Sequence, residues 1–161
     1  MRVAVGSYFQ RKPLEERNGV LYVRRDTEFL YIDYRGVTEL DESIGRLTSL
    51  KELSCNDNQL TKLPESIGSL TNLEELYCYN NQLSKLPESI GSLINLKEDT
   101  LKSLGDLELQ LRNVDAARQH LYNALPLYEA QGYQQDMAIT LKSLGNAERQ
   151  LGNVDAARQQ F

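Results

Sequence analysis

One feature constrains this chain more than any other: it repeats. LPESIGSLTNLEELYCYNNQLSK begins at Leu63 and LPESIGSLINL begins again at Leu86, 23 residues later. One interval earlier, LDESIGRLTSLKELSCNDNQLTK opens at Leu40 and matches nearly position for position. A further step back reaches TEFLYIDYRGVTEL from Thr27, where Leu30, Ile32 and Val37 take the positions of Leu53, Cys55 and Leu60. Units this short cannot cover their own apolar face, so they must stack on one another, with the end units capped. In ELSC and ELYC, alternation sends Leu and Cys to one side of a short strand and polar or aromatic residues to the other. Stacked copies then form a parallel sheet.

Asn58 and Asn81 fall where the chain leaves each strand, and a short amide there can satisfy turn backbone groups that the sheet does not reach. Leu50, Leu53, Cys55, Asn58 and Leu60, and then Leu73, Leu76, Cys78, Asn81 and Leu83, fill an L-x-x-L-x-L-x-x-N-x-L pattern. That unit resembles the leucine-rich repeat, and the LPESIGSL segment is similar to the convex side of such repeats. Arg35 stands at the Asn position of the first copy, which marks that copy as irregular. Residues 1–26 are expected to form the N-terminal cap, with apolar VAV and VLYV and a turn at Asn18-Gly19.

A second period begins where the first stops. TLKSLGDLELQLRNVDAARQ starts at Thr100 and TLKSLGNAERQLGNVDAARQ at Thr140, an offset of 40. Leu101, Leu104, Leu107 and Leu111 are spaced as one face of a helix, and Leu141, Leu144, Ala147 and Leu151 repeat the pattern. After Arg112-Asn113, and again after Gly152-Asn153, VDAAR opens a second helix, with Ala117 and Ala157 small enough for close approach to the first. The unit resembles the tetratricopeptide repeat: Leu104-Gly105 and Leu144-Gly145 match its L-G step, Ala117 and Ala157 its small position, and Leu121 and Phe161 its bulky one. Ala124 continues the match, whereas Pro126 comes earlier than the family's closing proline. The family period is about 34, so 40 implies longer helices or a longer GYQQ joint. The second copy stops at Phe161, part-way through its second helix, which leaves an apolar face for further chain, the leucine-rich block or a second molecule to cover.

Several function classes are disfavoured. A net charge of -5 repels nucleic acid and anionic membrane surfaces. No stretch approaches the roughly 18 apolar residues of a membrane span, and no signal peptide is evident, so the expected location is cytoplasmic. Cys55 and Cys78 are too few for a zinc site and, at equivalent repeat positions, read as buried core residues. His120, the single histidine, is read as solvated helix surface. No nucleotide-binding or hydrolase motif occurs, so neither catalysis, metal nor cofactor is expected.

Two surfaces remain as candidate sites. The strand face and its turns are expected to present Phe29, Tyr31, Asp33 and Tyr34, then Glu52, Ser54, Asn56 and Asp57, then Glu75, Tyr77, Tyr79 and Asn80. Tyrosines beside carboxylates suit recognition surfaces, and the acids favour a protein or peptide rich in Lys or Arg. The alternative is that Tyr is there as a strand former. The leucine-rich resemblance implies binding on this concave face. The tetratricopeptide resemblance implies a helical groove with Lys102, Asp106, Lys142 and Asn146, of which Lys142 and Asn146 match that family's carboxylate clamp. The i, i+4 spacing equally fits helix-surface pairing.

The expected fold is therefore α/β plus all-α: a short leucine-rich solenoid with parallel strands and a helical or 3-10 convex side, followed by tetratricopeptide-like hairpins. Its expected domains are an N-terminal cap at 1–26, leucine-rich repeats at 27–98 and helical repeats at 99–161. The expected function is a non-enzymatic interaction scaffold that also self-associates through its helices; the alternative is the sensor or regulatory part of a larger signalling protein. At the seam, GSLINLKEDTLKSLGDLELQL, Asp99 stands where the next repeat leucine belongs and is expected, with Thr100, at the N-cap or first turn of a helix that caps the leucine-rich core over Leu83, Ile90, Leu93 and Leu96.

Overall fold

The computed structural model describes residues 2–5, 14–17 and 20–152, with side chains from residue 20 onward. Cα packing divides the chain into two compact units, Met1–Leu96 and Lys97–Phe161.

The first unit opens with β1 (Arg2–Val5), β2 (Leu14–Arg17) and β3 (Val20–Val23). β2 pairs antiparallel with β3, with Arg17 opposite Val20, so the two strands flank residues 18–19; the Asn18-Gly19 turn itself lies outside the described residues. β3 runs parallel to β1, which pairs in turn with β5 (Glu39–Leu40), giving the order β2-β3-β1-β5. The second sheet holds β4 (Phe29–Tyr31), β6 (Glu52–Ser54) and β7 (Glu75–Tyr77), all parallel. Its register sets Leu30 beside Leu53 and Leu53 beside Leu76, so the 23-residue period is the step between adjacent strands.

The convex side is three 3-10 turns, Glu42–Arg46, Glu65–Ser69 and Glu88–Ser92. Ile44, Ile67 and Ile90 point inward from them, onto a core of Leu47, Leu50, Leu53, Leu60, Leu70 and Leu73 that is essentially sealed from solvent. Glycine at the fourth position of the first two turns has a specific use. A Cβ at Gly45 would stand 2.7 Å from the Ser66 carbonyl oxygen, and one at Gly68 2.5 Å from that of Ser89, closer than atoms can pack. The turns also interlock through side chains. Glu42 Oε2 accepts from Ser66 N at 3.0 Å and Glu65 Oε2 from Ser89 N at 3.3 Å, while Asn72 and Asn95 donate to the carbonyls of Thr48 and Thr71.

Asn58 and Asn81 do for the turns what hydrogen-bonded ladders do for the strands. Asn58 Oδ1 accepts from the backbone N-H of Arg35 and Val37, and its Nδ2 donates to the carbonyls of Ile32, Cys55 and Asn56. Asn81 accepts from Leu60 N and donates to Cys55, Cys78 and Tyr79. Buried turn backbone without such partners carries a desolvation cost, so these amides hold successive repeats together. Arg35 takes part through its main chain alone, its N-H 3.1 Å from the Asn58 amide oxygen.

The second unit is α1 (Glu98–Gln110), α2 (Val114–Gln131) and α3 (Gln134–Gln150). Lys97, not Asp99 or Thr100, stands at the N-cap; Asp99 lies in the first turn, where a carboxylate suits the helix dipole. It also accepts a 2.7 Å hydrogen bond from the Tyr128 hydroxyl. Thr100 is fully buried and its hydroxyl has no hydrogen-bond partner. α1 packs on α2 at Gly105, where an added Cβ would meet Leu121 Cγ at 2.6 Å and the Ala117 carbonyl at 3.2 Å. Pro126 lies inside α2, which continues to Gln131 and ends at Gly132 with φ 75°, its N-H bonded to the Glu129 carbonyl while Tyr133 N bonds back to Tyr128. The joint to α3 is thus only Gly132 and Tyr133, and the added length of the 40-residue period resides in the helices. The second helix expected after Gly152-Asn153, with Ala157 and Phe161, lies outside the described residues.

His120 corrects the sequence reading: it is 7% exposed, and burial lowers its pKa from the ordinary value of 6.5. It projects from the same side of α2 as Ala117, Leu121 and Ala124, all of which are inaccessible to solvent. A polar residue in that register is interior, which its side-chain type alone does not disclose.

Candidate functional site

In a strand whose inward residues are Leu53 and Cys55, the residues between them must face out, and repetition at 23 residues lines them into rows across β4, β6 and β7. The rows are Phe29-Glu52-Glu75 and Tyr31-Ser54-Tyr77 within the strands, then Asp33-Asn56-Tyr79 and Tyr34-Asp57-Asn80 in the turns. Phe29, Tyr31, Tyr34, Tyr79 and Asn80 are exposed, Tyr34 most of all at 80%. Asp33, Glu52, Asn56, Asp57, Glu75 and Tyr77 are half-buried.

Ser54 departs from expectation. It is only 5% exposed, because its Oγ donates to Asp33 Oδ1 at 2.7 Å and accepts from Asn56 Nδ2 at 3.0 Å, and larger side chains flank it on both strands. Asp33 and Asn56 are equally occupied with structure. Asp33 Oδ1 accepts from Asn56 N at 2.6 Å, and Asn56 Oδ1 accepts from Tyr79 N at 2.7 Å. One row outward, Asp57 accepts from Asn80 Nδ2 and holds the Tyr34 phenol by a hydrogen bond that raises its pKa. Tyr34, Asp57 and Asn80 all have positive φ, 55°, 54° and 50°, so the chain turns the same left-handed way after each strand. The signal for both ladders was in the sequence as the 23-residue spacing of 33, 56 and 79 and of 34, 57 and 80.

The tyrosines on the strands are pinned rather than loose. Tyr31 donates its hydroxyl to Glu52 Oε2 at 2.8 Å across to the next strand, and Tyr77 donates to Glu75 Oε2 at 2.7 Å along its own. The Tyr31 phenol is raised in pKa first by its hydrogen bond to Glu52 and further by the charges of Glu52 and Glu75. Lys51 is committed to Glu28 in a 2.8 Å ion pair. Residues 28–34, 51–57 and 74–80 together hold six carboxylates and that one lysine, so this face is strongly negative.

Cys55 and Cys78 lie beneath the sheet as free, buried thiols. Burial pushes the Cys78 thiol up to about 12 and Cys55 well above its ordinary range, so neither is a nucleophile near neutral pH.

On the helices, Lys102 pairs with Asp106 at 2.7 Å, and Asp106 also accepts from Ser143 Oγ of α3 at 2.9 Å. Lys142 is exposed, and Asn146 accepts a hydrogen bond from Arg149. A shallow groove of about 500 Å³ lies between the C-terminal ends of α1 and α3, lined by Leu109, Gln110, Asn146, Arg149 and Gln150. Of the four helical candidates only Asn146 borders it. Lys102 and Asp106 neutralise each other, as the i, i+4 reading allows. Among the described residues no group of His, Cys, Asp and Glu could hold a metal ion, and no helix is long and apolar enough to cross a membrane.

Residues 48–98 match the family model for leucine-rich repeats, in two copies. That segment, with the parallel strands and 3-10 turns around it, carries leucine-rich repeats, a class that generally mediates protein-protein interaction. Seven chains of solved structures match. One of these, a leucine-rich repeat protein of Leptospira interrogans, is 33% identical, with a TM-score of 0.39. The match covers 49% of this chain and 18% of that protein's length. Curated proteins searched with this sequence give no match.

Proposed function

We propose that this chain is a non-enzymatic, cytoplasmic interaction scaffold that holds a protein or peptide partner on the concave face of β4, β6 and β7. One observation carries the reading. Phe29, Tyr31, Tyr34, Tyr77 and Tyr79 form an aromatic surface on a rigid sheet, with two of the tyrosines already fixed by carboxylates. Aromatic side chains held in one conformation lose little entropy on binding, and bury large areas with a polar tip still paired. The excess of carboxylates selects for a Lys- or Arg-rich partner.

The helices extend this reading as tetratricopeptide-like repeats spanning 99–161, supported by the close approach of Gly105 to Leu121 and Ala117. Exposed Tyr122, Leu127, Tyr133 and Ile139 on that unit offer apolar area for self-association.

Affinity selection of displayed random peptides against the full chain tests the proposal. The expected result is a ligand family whose binding is lost in Tyr77→Ala/Tyr79→Ala while far-UV circular dichroism is unchanged. Ligands that bind the double variant as tightly as the parent would overturn it.

A further inference from the structure

β4 is an edge strand: in the order β4-β6-β7 it pairs with β6 alone among the described residues. Which of its main-chain groups face outward follows from the bonds it makes. Ile32 N-H donates to the Ser54 carbonyl and Tyr34 N-H to that of Asn56, while the Glu28 carbonyl accepts from Lys51 and Glu52, so the even-numbered residues face β6. Residues alternate in the side to which their N-H and C=O point, and those of Phe29 and Tyr31 therefore point away from the sheet. None of these groups has a hydrogen-bond partner among the described residues. Phe29 is 53% exposed and Tyr31 50%. At the opposite edge Leu76, whose main chain faces away from β6 in the same way, is buried. Of the two edges of this sheet, that of β4 is the open one.

An unpaired row of N-H and C=O groups takes another extended chain, and β4 is complementary to itself. Set two copies antiparallel about a two-fold axis at Leu30, and Phe29 of each faces Tyr31 of the other. Both residues are outward-bonding, so they exchange both main-chain hydrogen bonds. The same register lays the Phe29 ring against the Tyr31 ring on the concave side, and Leu30 against Leu30 beneath. Directly opposed aromatic pairs of this kind stabilise antiparallel strands. Charge does not oppose the pairing at the edge: residues 24–35 carry Arg24, Arg25 and Arg35 against Asp26, Glu28 and Asp33. A Lys- or Arg-rich strand suits the face as a whole but meets no net charge at this edge. The strand that fits is neutral and alternates aromatic with aliphatic residues, which is what Phe29-Leu30-Tyr31 supplies.

We propose that two copies of this chain associate through β4, antiparallel and with Phe29 opposite Tyr31, which joins their three-stranded sheets into one continuous sheet. This contact is separate from the exposed apolar residues of the helices and does not depend on a partner bound to the concave face. Strands of three residues bury less than the roughly 1,200–2,000 Å² of a stable interface, so the dimer is weak and exchanges with monomer. The remainder of each face is negative, so the two faces repel across the junction and added salt strengthens the association.

Sedimentation equilibrium of the full chain over a concentration series reaching about 1 mM tests the proposal. The expected result is a mass that rises from monomer toward dimer, and rises further with added salt. Phe29→Glu/Tyr31→Glu sets like charges opposite one another and weakens the association roughly 10-fold or more, whereas Phe29→Lys/Tyr31→Glu sets opposite charges there and restores it. Both variants keep the parent circular dichroism spectrum, since both positions are exposed. In the parent, exchange of the Phe29 and Tyr31 amide protons slows as protein concentration rises; this measurement needs no variant. A strict monomer at every concentration overturns the inference, and so does amide exchange at these residues that is independent of concentration. A dimer that survives Phe29→Glu/Tyr31→Glu overturns it too, and places the association on the helices or elsewhere. If Phe29→Lys/Tyr31→Glu associates no better than the double glutamate variant, the proposed register falls and the inference with it. A monomer that takes up unrelated extended peptides along β4 likewise overturns pairing with a second copy.

Discussion

The two units solve the same problem of stacking short repeats by opposite means. In the helices, backbone groups are satisfied locally, and what joins α1 to α2 is side-chain packing made close by Gly105. In the leucine-rich unit the strands are three residues long, too short to satisfy the chain between them, so contacts one repeat apart carry the work: Asn58, Asn81, Asp33, Asn56, Glu42 and Glu65 all bond backbone of a neighbouring repeat. A helix tolerates losing one such contact because its own ladder persists. The strand unit has no local reserve.

That difference is open to direct attack. The largest effect is expected from Asn58→Ala, which takes their side-chain partner from the N-H groups of Arg35 and Val37 and from the Ile32 carbonyl at a site only 7% exposed, while the Cys55 and Asn56 carbonyls keep Asn81 Nδ2 and Tyr34 N-H. It should cost about 3–5 kcal/mol, read as a fall in the urea midpoint. Asn81→Ala, at a half-exposed position where water can replace part of the network, should cost clearly less. Equal costs would break the contrast between interior and peripheral ladder positions.

Glycine substitutions come next. Gly68→Ala drives a Cβ onto the rigid Ser89 carbonyl and should cost about 2–3 kcal/mol, while Gly91→Ala, at the same repeat position with nothing within 4 Å, should be near neutral. Gly105→Ala meets chiefly the flexible Leu121, with the Ala117 carbonyl farther off at 3.2 Å, and gains about 1 kcal/mol of helix propensity in return. Its net cost should be the smaller, and Leu121→Ala should relieve it non-additively in a double-mutant cycle. An equal penalty for Gly68→Ala and Gly105→Ala would show that side-chain and backbone obstacles do not differ as supposed.

A pH effect should separate the units as well. His120 has a folded pKa below its ordinary 6.5, so above that value both folded and unfolded states are neutral. Below it the unfolded chain takes up a proton that the folded helices resist, and stability falls, by at most about 1.4 kcal/mol per pH unit. Glu108, whose carboxyl burial raises, acts in the opposite sense: its contribution is complete below its ordinary 4.5 and is lost as pH rises through the folded value. Comparing urea midpoints of the parent and His120→Gln between pH 7.5 and 5.5 isolates the imidazole, and an identical pH slope in both removes this account.

The smallest stability change belongs to the face itself. Tyr77→Ala/Tyr79→Ala should shift stability by no more than about 0.5 kcal/mol per residue, since Tyr79 is exposed and Tyr77 half-exposed. A large loss would mean that these rings hold the sheet together and that their presence there reflects strand formation.

The helices were legible because apolar spacing at Leu101, Leu104 and Leu144 reports a single local period, and all three are buried. His120 was not, since a titratable side chain reads as surface until the register of the finished helix turns it inward. Cys55 and Cys78 were placed beneath the strands from their repeat position, and both are buried. Asp33, Ser54 and Asn56 were assigned to the open face by alternation, which gives the side of a strand but not whether the residues there bond one another.

Periodicity by itself therefore determined two repeat lengths, the inward leucines, the interlocking asparagines and the rows of the strand face, because a repeat written in sequence forces equivalent residues into equivalent environments. Only the tertiary structure decided which members of those rows are spent on holding neighbours and which stay exposed. Tyr31 and Glu52 are 21 residues apart, and nothing local to either says that a 2.8 Å hydrogen bond will join them. That bond exists because stacking sets β4 beside β6, and with it the ring that ends at a carboxylate.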